Sequence, residues 1–214
     1  TLDEMRRQKI LPSLIFGGGT MLRLCHQLPR YSVDLDFYLK KPNSDFKPQF
    51  VKLAESIAAK GIEITDKQEK HRTYLLEMRK SGYPRRLKIE IRKEAHQAKL
   101  VDKVVAYSKF APDLQVVLTA CSLAQMWRNK TESLLERQII RDAYDLEFLI
   151  RRGAGNPSDL ERERAEKILR IVRNFKNTDF THSLKPLLPK DERDRLSGNR
   201  FILLEGALEE AIKD

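Results

Sequence analysis

The sequence contains few of the residue types that mark disulfide-stabilised or zinc-stabilised proteins. It has 2 cysteines in 214 residues and no Cys-x-x-Cys pair. Its 4 histidines are scattered and lack the spacing of a zinc site: His26, His71, His96 and His182. We therefore predict that Cys25 and Cys121 are buried free thiols of a cytoplasmic protein.

Long apolar runs are also missing. No stretch reaches the roughly 18 apolar residues of a membrane span, and the first residues lack the apolar centre of a signal peptide. Internal repeats and low-complexity tracts are not found either. These features exclude an integral membrane protein of the helical type, and we expect no membrane partner.

Positive charge dominates what is present. Lys and Arg number 41 against 31 Asp and Glu, a net charge of +10. The excess is uneven, with 14 basic and 7 acidic residues from 60 to 109, but 14 and 12 from 151 onward. A basic protein of this size usually meets a polyanion, and nucleic acid is the first candidate, although a solvated ionic surface would give the same counts.

Two aspartates separated by one residue lie within an apolar run. Val33, Leu35 and Phe37 alternate with Asp34 and Asp36. In a strand, residues two apart point to the same face, so both carboxylates should project together while the apolar side chains enter a core. Like charges held this close favour a divalent cation, and Mg²⁺ commonly takes one or two carboxylates plus substrate phosphates. An ordinary strand with its polar face outward is the alternative.

A glycine-rich turn precedes this pair. Gly18 and Gly19 stand between an apolar segment and a helix-compatible run, and Thr20 is predicted to be the N-cap of that helix. A helix N-terminus offers unpaired N–H groups to an anion such as phosphate. A turn that serves only tight packing is the alternative, but glycines followed by the aspartate pair favour phosphate and metal chemistry.

This combination resembles a known signature. Gly18-Gly19-Thr20, a helix and then Asp34-x-Asp36 are similar to the nucleotidyltransferase signature of the DNA polymerase-beta superfamily. The fuller string GGGTMLRL…RYSVDLDF resembles the AbiEii-type abortive-infection toxins, which include MenT-type toxins. The match covers roughly residues 10 to 150. It implies an α+β fold with a nucleotidyltransferase core, a mixed β-sheet flanked by helices, and a C-terminal helical lobe.

The resemblance implies roles for further residues. A third catalytic carboxylate is expected on a strand beside the aspartates. Residues 86–92 alternate apolar and polar side chains, which places Glu90 on the polar face of a strand, so Glu90 is our candidate for this third carboxylate. The alternative is that Glu90 is an ordinary exposed strand residue paired to Lys88 or Arg92. Asp34, Asp36 and Glu90 would be the catalytic and metal-binding set, holding two Mg²⁺ ions.

Nucleotide binding is expected from the glycine turn and from residues on either side of the catalytic set. Arg30, just before the pair, would contact a triphosphate or stabilise its loop. Lys130 would grip the triphosphate, although a solvated lysine is the alternative. Arg141 or Asp142 would support the Lys130 helix, and a plain ion pair of Arg141 with Asp145 is the competing explanation. The nucleotide-binding set is therefore Gly18, Gly19, Thr20, Arg30, Ser32, Lys130 and Asp145.

The resemblance, together with the predicted strands and helices, implies a catalytic core, residues 1–118, and a helical lobe, residues 119–214, that completes the nucleotide cleft. Residues 73–78 and 86–92 should be strands. Helices are predicted over residues 1–11, 20–27, 50–60, 122–137, 141–152, 160–175 and 201–212.

The function implied is that of a metal-dependent toxin of a toxin–antitoxin system. It would transfer a nucleoside monophosphate from an NTP to an acceptor hydroxyl, with the 3′ end of tRNA as the leading substrate, and so block translation. A cognate antitoxin protein or kinase is the expected partner. The alternatives are a nucleotidyltransferase acting on a protein or small molecule, and a non-catalytic RNA-binding relative.

Overall fold

The structure is a computed structural model that describes residues 1–42, 44–94, 98–198 and 201–213; His96 lies outside these ranges. The chain divides into two compact units. The first comprises Thr1–Gln27 and Ser32–Ser122, and the second comprises Leu28–Tyr31 and Leu123–Asp214. The short segment Leu28–Tyr31, which carries Arg30, therefore belongs to the helical unit although it interrupts the first one in sequence.

The first unit is built on a seven-stranded sheet. Its strands are β1 (Leu14–Gly17), β2 (Asp34–Leu39), β3 (Glu63–Glu69), β4 (Thr73–Arg79), β5 (Leu87–Arg92), β6 (Val101–Ser108) and β7 (Ala111–Cys121). Its helices are α1 (Leu2–Arg7), α2 (Gly18–His26) and α3 (Lys47–Ala58). The sheet order is β3-β4-β5-β2-β1-β7-β6.

The sheet is mixed because its centre contains both strand directions. β2 pairs with β5 in parallel and with β1 antiparallel, and β1 pairs with β7 in parallel. The outer pairs β3–β4, β4–β5 and β6–β7 are antiparallel. The predicted α+β class with a mixed sheet and flanking helices is confirmed.

Alternation along the central strands separates an apolar face from a polar one. Leu35 and Phe37 of β2 are buried, and Phe37 stacks on Phe16 of β1 with ring centroids 4.9 Å apart. Ile89 and Ile91 of β5 are fully buried beside them. The residues between these apolar positions, including Asp34, Asp36 and Glu90, consequently share the opposite face.

The second unit is helical in the ranges described. It contains α4 (Leu123–Arg137), α5 (Ile140–Arg151), α6 (Arg162–Arg173), α7 (Lys190–Gly198) and α8 (Ile202–Lys213), with short helical turns between α6 and α7. Trp127 is 6% exposed, and a Cβ on Gly155 would lie 2.6 Å from its Cδ2 atom. The loop after α5 therefore packs directly on the indole, so Trp127 is a core residue.

Several predicted boundaries are corrected. Thr20 is not the N-cap of α2, because the helix begins at Gly18 and Gly17 occupies the cap position. The helix expected from residue 160 begins at Arg162, after a 3₁₀ turn. The helix α7 was not predicted, because Lys190–Gly198 is strongly charged and has no clear apolar stripe.

The two thiols differ in burial. Both cysteines are unbridged, as predicted, but only Cys121 is fully buried, while Cys25 is half-buried. Among the residues that the structure describes, none of the helices has the length and apolar character needed to cross a membrane.

Candidate active site

The polar face of the central strands brings the predicted acidic residues together. In the parallel pairing of β2 with β5, Asp36 lies opposite Glu90 and Asp34 lies opposite Lys88. Side chains of paired residues point to the same side of a sheet, so the two aspartates and Glu90 share one face. Alternation predicts which side chains of each strand share a face, and the pairing of β2 with β5 places those faces side by side.

The glycine turn lies directly against this acidic face. Gly17, the last residue of β1, pairs with Asp36, and Gly18 has a positive φ of 73°. A Cβ on Gly18 would overlap the Asp36 carboxylate, with Asp36 Cγ only 2.9 Å away. Only glycine combines this backbone conformation with such an approach, so the turn fixes the first turn of α2 against Asp36.

Thr20 joins the helix to the strand that carries the aspartates. Its hydroxyl donates a hydrogen bond to the backbone carbonyl of Asp34. Thr20 is buried in the first turn of α2, as is Gly19, and Ser32 is half-buried in the segment that leads into β2. The start of α2 and the start of β2 are therefore held together by a side chain rather than by a helix cap.

Glu90 is flanked by two cations on its own strand. Lys88 Nζ and Arg92 Nε each lie 3.3 Å from a Glu90 carboxylate oxygen. Burial acts against the charged form of Lys88, but Asp34 and Glu90 outweigh it and raise its pKa above the usual lysine value. Glu90 thus forms ion pairs with Lys88 and Arg92, which is the alternative to a catalytic role, and it also lies opposite Asp36 in the sheet.

The three carboxylates do not yet converge as metal ligands. Across the described ranges, no group of three or more His, Cys, Asp or Glu side chains is close enough to hold one ion. The predicted convergence of Asp34, Asp36 and Glu90 is corrected to this extent, because Lys88 and Arg92 hold the Glu90 carboxylate. Two aspartate carboxylates on one face nevertheless supply the hard oxygen donors that Mg²⁺ takes together with substrate phosphates.

Tyr38 and Cys121 lie beside the acidic pair. Tyr38 is two residues after Asp36 and is 5% exposed, and Cys121 is fully buried. A Cβ on Gly17 would lie 2.8 Å from Tyr38 Cε2 and 3.6 Å from Cys121 Sγ, so both side chains border the turn. Burial raises the pKa of the Tyr38 phenol, and it raises the pKa of the Cys121 thiol to about 12. Neither group ionises near neutral pH.

The helical unit contains a separate buried ionic network. Arg30 is 4% exposed and binds Asp145 through two hydrogen bonds of 2.6 Å. Lys130 Nζ lies 2.7 Å from Asp145 Oδ2 and 2.9 Å from Asp142 Oδ1. Burial acts to raise the pKa of Asp145, but Arg30 and Lys130 outweigh it and hold that pKa below its usual value. Asp145 is therefore an anion with both oxygens occupied.

Asp142 connects this network to the end of α4. It accepts hydrogen bonds from Lys130 and from Arg137, the latter at 2.9 Å and 3.2 Å. Arg141 is exposed. Asp142 thus contacts two residues of α4, the helix that carries Lys130, while the observed partners of Asp145 are Arg30 and Lys130.

Comparisons with known proteins identify the family. The profile described as "Nucleotidyl transferase AbiEii toxin, Type IV TA system" matches residues 2–208. The chain belongs to the AbiEii nucleotidyltransferase toxin family. A search of curated proteins gave no match.

Solved structures similar to the AbiEii chain include two proteins of Helicobacter pylori and one of Mycobacterium tuberculosis. The crystal structure of JHP933 from Helicobacter pylori is similar with a TM-score of 0.59 and 17% identity, covering 99% of this chain and 90% of that one. A second H. pylori protein, provisionally described as a nucleotidyltransferase, has a TM-score of 0.57 and 17% identity, with 99% and 93% coverage. MenT4, a nucleotidyltransferase toxin of Mycobacterium tuberculosis, has a TM-score of 0.49 and 16% identity, with 98% and 81% coverage.

The predicted AbiEii site residues thus fall into two sets. Asp34, Asp36 and Glu90 lie on one sheet face beside Gly18. Arg30, Lys130 and Asp145 form the buried network of the helical unit. Of the two roles predicted for Arg30, contact with a triphosphate and stabilisation of its loop, the observed contacts with Asp145 favour the second. Asp145 is 0% exposed, which corrects the expectation that it contacts the nucleotide directly.

Four residues that lie next to these two sets were not predicted as site residues. Lys88, Arg92 and Tyr38 follow the same two-residue alternation as the carboxylates, and that pattern could have identified them. Arg137 could not be found this way, because its contact with Asp142 depends on how α4 and α5 pack.

Proposed function

We propose that this AbiEii protein transfers a nucleoside monophosphate from an NTP to the hydroxyl at the 3′ acceptor end of tRNA, which would block aminoacylation. The observation that carries the proposal is the pairing of Asp36 with Glu90 beside the Gly18 turn. The net charge of +10, concentrated between residues 60 and 109, favours RNA over a cationic small molecule as the acceptor.

The metal requirement is part of this proposal. Asp34 and Asp36 would hold Mg²⁺, with Glu90 as a third ligand once its carboxylate leaves Lys88 and Arg92, and two ions are expected. When bound, Mg²⁺ would neutralise triphosphate charge and make the attacking hydroxyl more acidic. The donor set fits, because all three groups are carboxylates on one face of the sheet, and the missing side chain at Gly18 leaves room for the Asp36 carboxylate itself.

The reaction is an in-line displacement at the α-phosphorus. The acceptor oxygen forms a bond to that phosphorus, the bond to the β-phosphate oxygen breaks, and pyrophosphate leaves. Glu90 would take the proton of the hydroxyl, directly or through water. The backbone N–H groups of the Gly18-Gly19-Thr20 turn would bind the β- and γ-phosphates. Lys130 would also bind them if a phosphate replaced Asp142 or Asp145 as its partner.

Incubation with each of the four labelled NTPs, Mg²⁺ and total tRNA tests the proposal. We expect label on intact tRNA with at least one NTP, and a mass increase of one nucleotide or more at the 3′ end. Asp36→Asn should abolish labelling, whereas Asp66→Asn, an equal charge change on β3, should not. Absence of label with all four NTPs would overturn transfer to tRNA.

A further inference from the structure

A basic pocket lies at the end of the sheet where β2 finishes. It has a volume of about 290 Å³, and all of its charged lining residues are cations: Arg6, Lys9, Lys40 and Lys103. Thr119 and Val117 of β7 also line it. We refer to this cavity as the basic pocket.

The charges in the basic pocket repel one another. Lys40 Nζ donates a hydrogen bond of 3.1 Å to Thr119 Oγ1, and Lys103 is the register partner of Thr119. Partial burial, together with the charge of Lys103, lowers the pKa of Lys40. Arg6 is engaged by Asp3 at 2.6 Å, so the excess positive charge lies mainly on the lysines. Bound anionic oxygens would relieve this repulsion.

The strand register relates the basic pocket to the acidic site. Phe16 pairs with Ala120 in the parallel contact of β1 with β7, so Thr119 and Cys121 lie on the same sheet face as Gly17 and Asp36. Counting two strands across and two residues along gives about 12 Å between Asp36 and Thr119. That distance corresponds to roughly three nucleotides of a stacked strand at about 3.4 Å each.

Apolar and aromatic side chains continue this face outward from the pocket. Val117 is 65% exposed. On the β6–β7 hairpin, Tyr107 is 44% exposed and shares the face of Lys103, and Phe110 at the hairpin turn is 68% exposed with Lys109 near its ring. Cationic groups next to exposed aromatic rings are the features that bind single-stranded nucleic acid, because phosphates meet the cations and bases stack on the rings.

We propose that the basic pocket binds a backbone phosphate of the RNA acceptor, about three nucleotides before the hydroxyl that reacts, with Tyr107 stacking a neighbouring base. The inference rests on the proposed function for its choice of RNA. It adds a specificity element, since an acceptor must extend from the carboxylates to the pocket. A small-molecule or very short acceptor would lack this contact.

Direct binding of a labelled RNA with a single-stranded 3′ end tests the pocket without any NTP. Lys40→Gln combined with Lys103→Gln should weaken binding at least tenfold near 100 mM salt. Loss of one phosphate contact should reduce the slope of log affinity against log salt by about 0.7. In the transfer assay the same variant should raise the KM for RNA with kcat unchanged, and Tyr107→Ala should weaken binding of the same RNA.

The matched control is Lys52→Gln combined with Lys67→Gln, which removes the same charge from exposed positions on α3 and β3. Equal RNA affinity of the two double variants would overturn the pocket as a phosphate site, and would leave an acidic protein as its better occupant. A specific loss of affinity in the pocket variant supports the site even if no tRNA is labelled. In that case only the transfer chemistry would have failed.

Discussion

Gly18 and Asp36 are so close that any side chain at Gly18 would displace the Asp36 carboxylate. The backbone of Gly18 also has φ of +73°, a conformation that costs other residues about 1–2 kcal/mol. These two constraints can be separated, because Gly61 has the same φ of +73° but nothing within 4 Å of its added Cβ.

We therefore predict that Gly18→Ala inactivates the enzyme beyond its effect on stability. A catalytic group displaced by about 1 Å can cost on the order of 10²-fold in rate, so kcat/KM should fall by at least that factor. Gly61→Ala should lower the free energy of unfolding by a similar amount, because the backbone conformation is the same, but it should keep its activity. Denaturation midpoints and initial rates of both variants check this, and equal activities would contradict the role given to the Gly18 contact.

Glu90 provides the second prediction, because its ion pairs to Lys88 and Arg92 allow a purely structural role. If Glu90 acts in transfer, Glu90→Gln should lower kcat by about 10²-fold or more. Glu77→Gln is the matched control, since Glu77 lies on the adjacent strand opposite Lys88 and is held by Arg86 at 2.7 Å. Rates within threefold of wild type for both variants would assign Glu90 to the surface ion pairs.

The buried network supplies a third prediction, on stability. Asp145→Asn leaves Arg30 and Lys130 buried without the carboxylate charge that they share. Removing one partner of a buried ion pair lowers the free energy of unfolding by about 3–5 kcal/mol, and we expect a loss of that size here. Glu132→Gln removes the exposed partner of Arg164 and should cost less than about 1 kcal/mol. Urea unfolding at pH 7 measures both, and a small loss for Asp145→Asn would argue against a structural role of the network.

The acidic face was predictable from sequence, because strand alternation fixes which side chains share a side. The alternation in residues 33–37 and 86–92 assigned the faces of Asp34, Asp36 and Glu90. Alternation does not choose strand neighbours, however, and the placement of Glu90 next to Asp36 depended on the family resemblance. The same pattern contained Lys88 and Arg92, whose pairing to Glu90 was foreseen only as an alternative.

The buried network was much less predictable, because its contacts are long-range. Arg30 and Asp145 are 115 residues apart in sequence, and neither has a local pattern that indicates burial. Charged residues are rarely buried unless they are paired, so the sequence favoured exposed side chains or a local pair of Arg141 with Asp145. The N-cap was misassigned for a different reason: the positive φ of Gly18, rather than residue preference, decides where α2 begins.

Glu4 joins α1 to α3 and makes the stability of the protein depend on pH in the acid range. Its carboxylate forms an ion pair with Lys60 and accepts hydrogen bonds from Ser56 and Gln8, and these contacts together lower its pKa to about 2 from 4.5. A folded-state pKa below the unfolded value means that the stabilisation is complete above about pH 4.5 and is lost as the pH falls toward 2. Glu4→Gln should therefore melt below wild type at pH 7, with the gap closing between pH 4.5 and 2.

Glu55→Gln is the control for Glu4, because Glu55 is an exposed carboxylate of α3. Its melting temperature should follow that of wild type throughout the titration. Each kcal/mol lost should appear as about 2–4 °C in a chain of this size, which calorimetry resolves. A gap between Glu4→Gln and wild type that stays constant down to pH 2 would mean that the carboxylate charge does not hold α1 against α3.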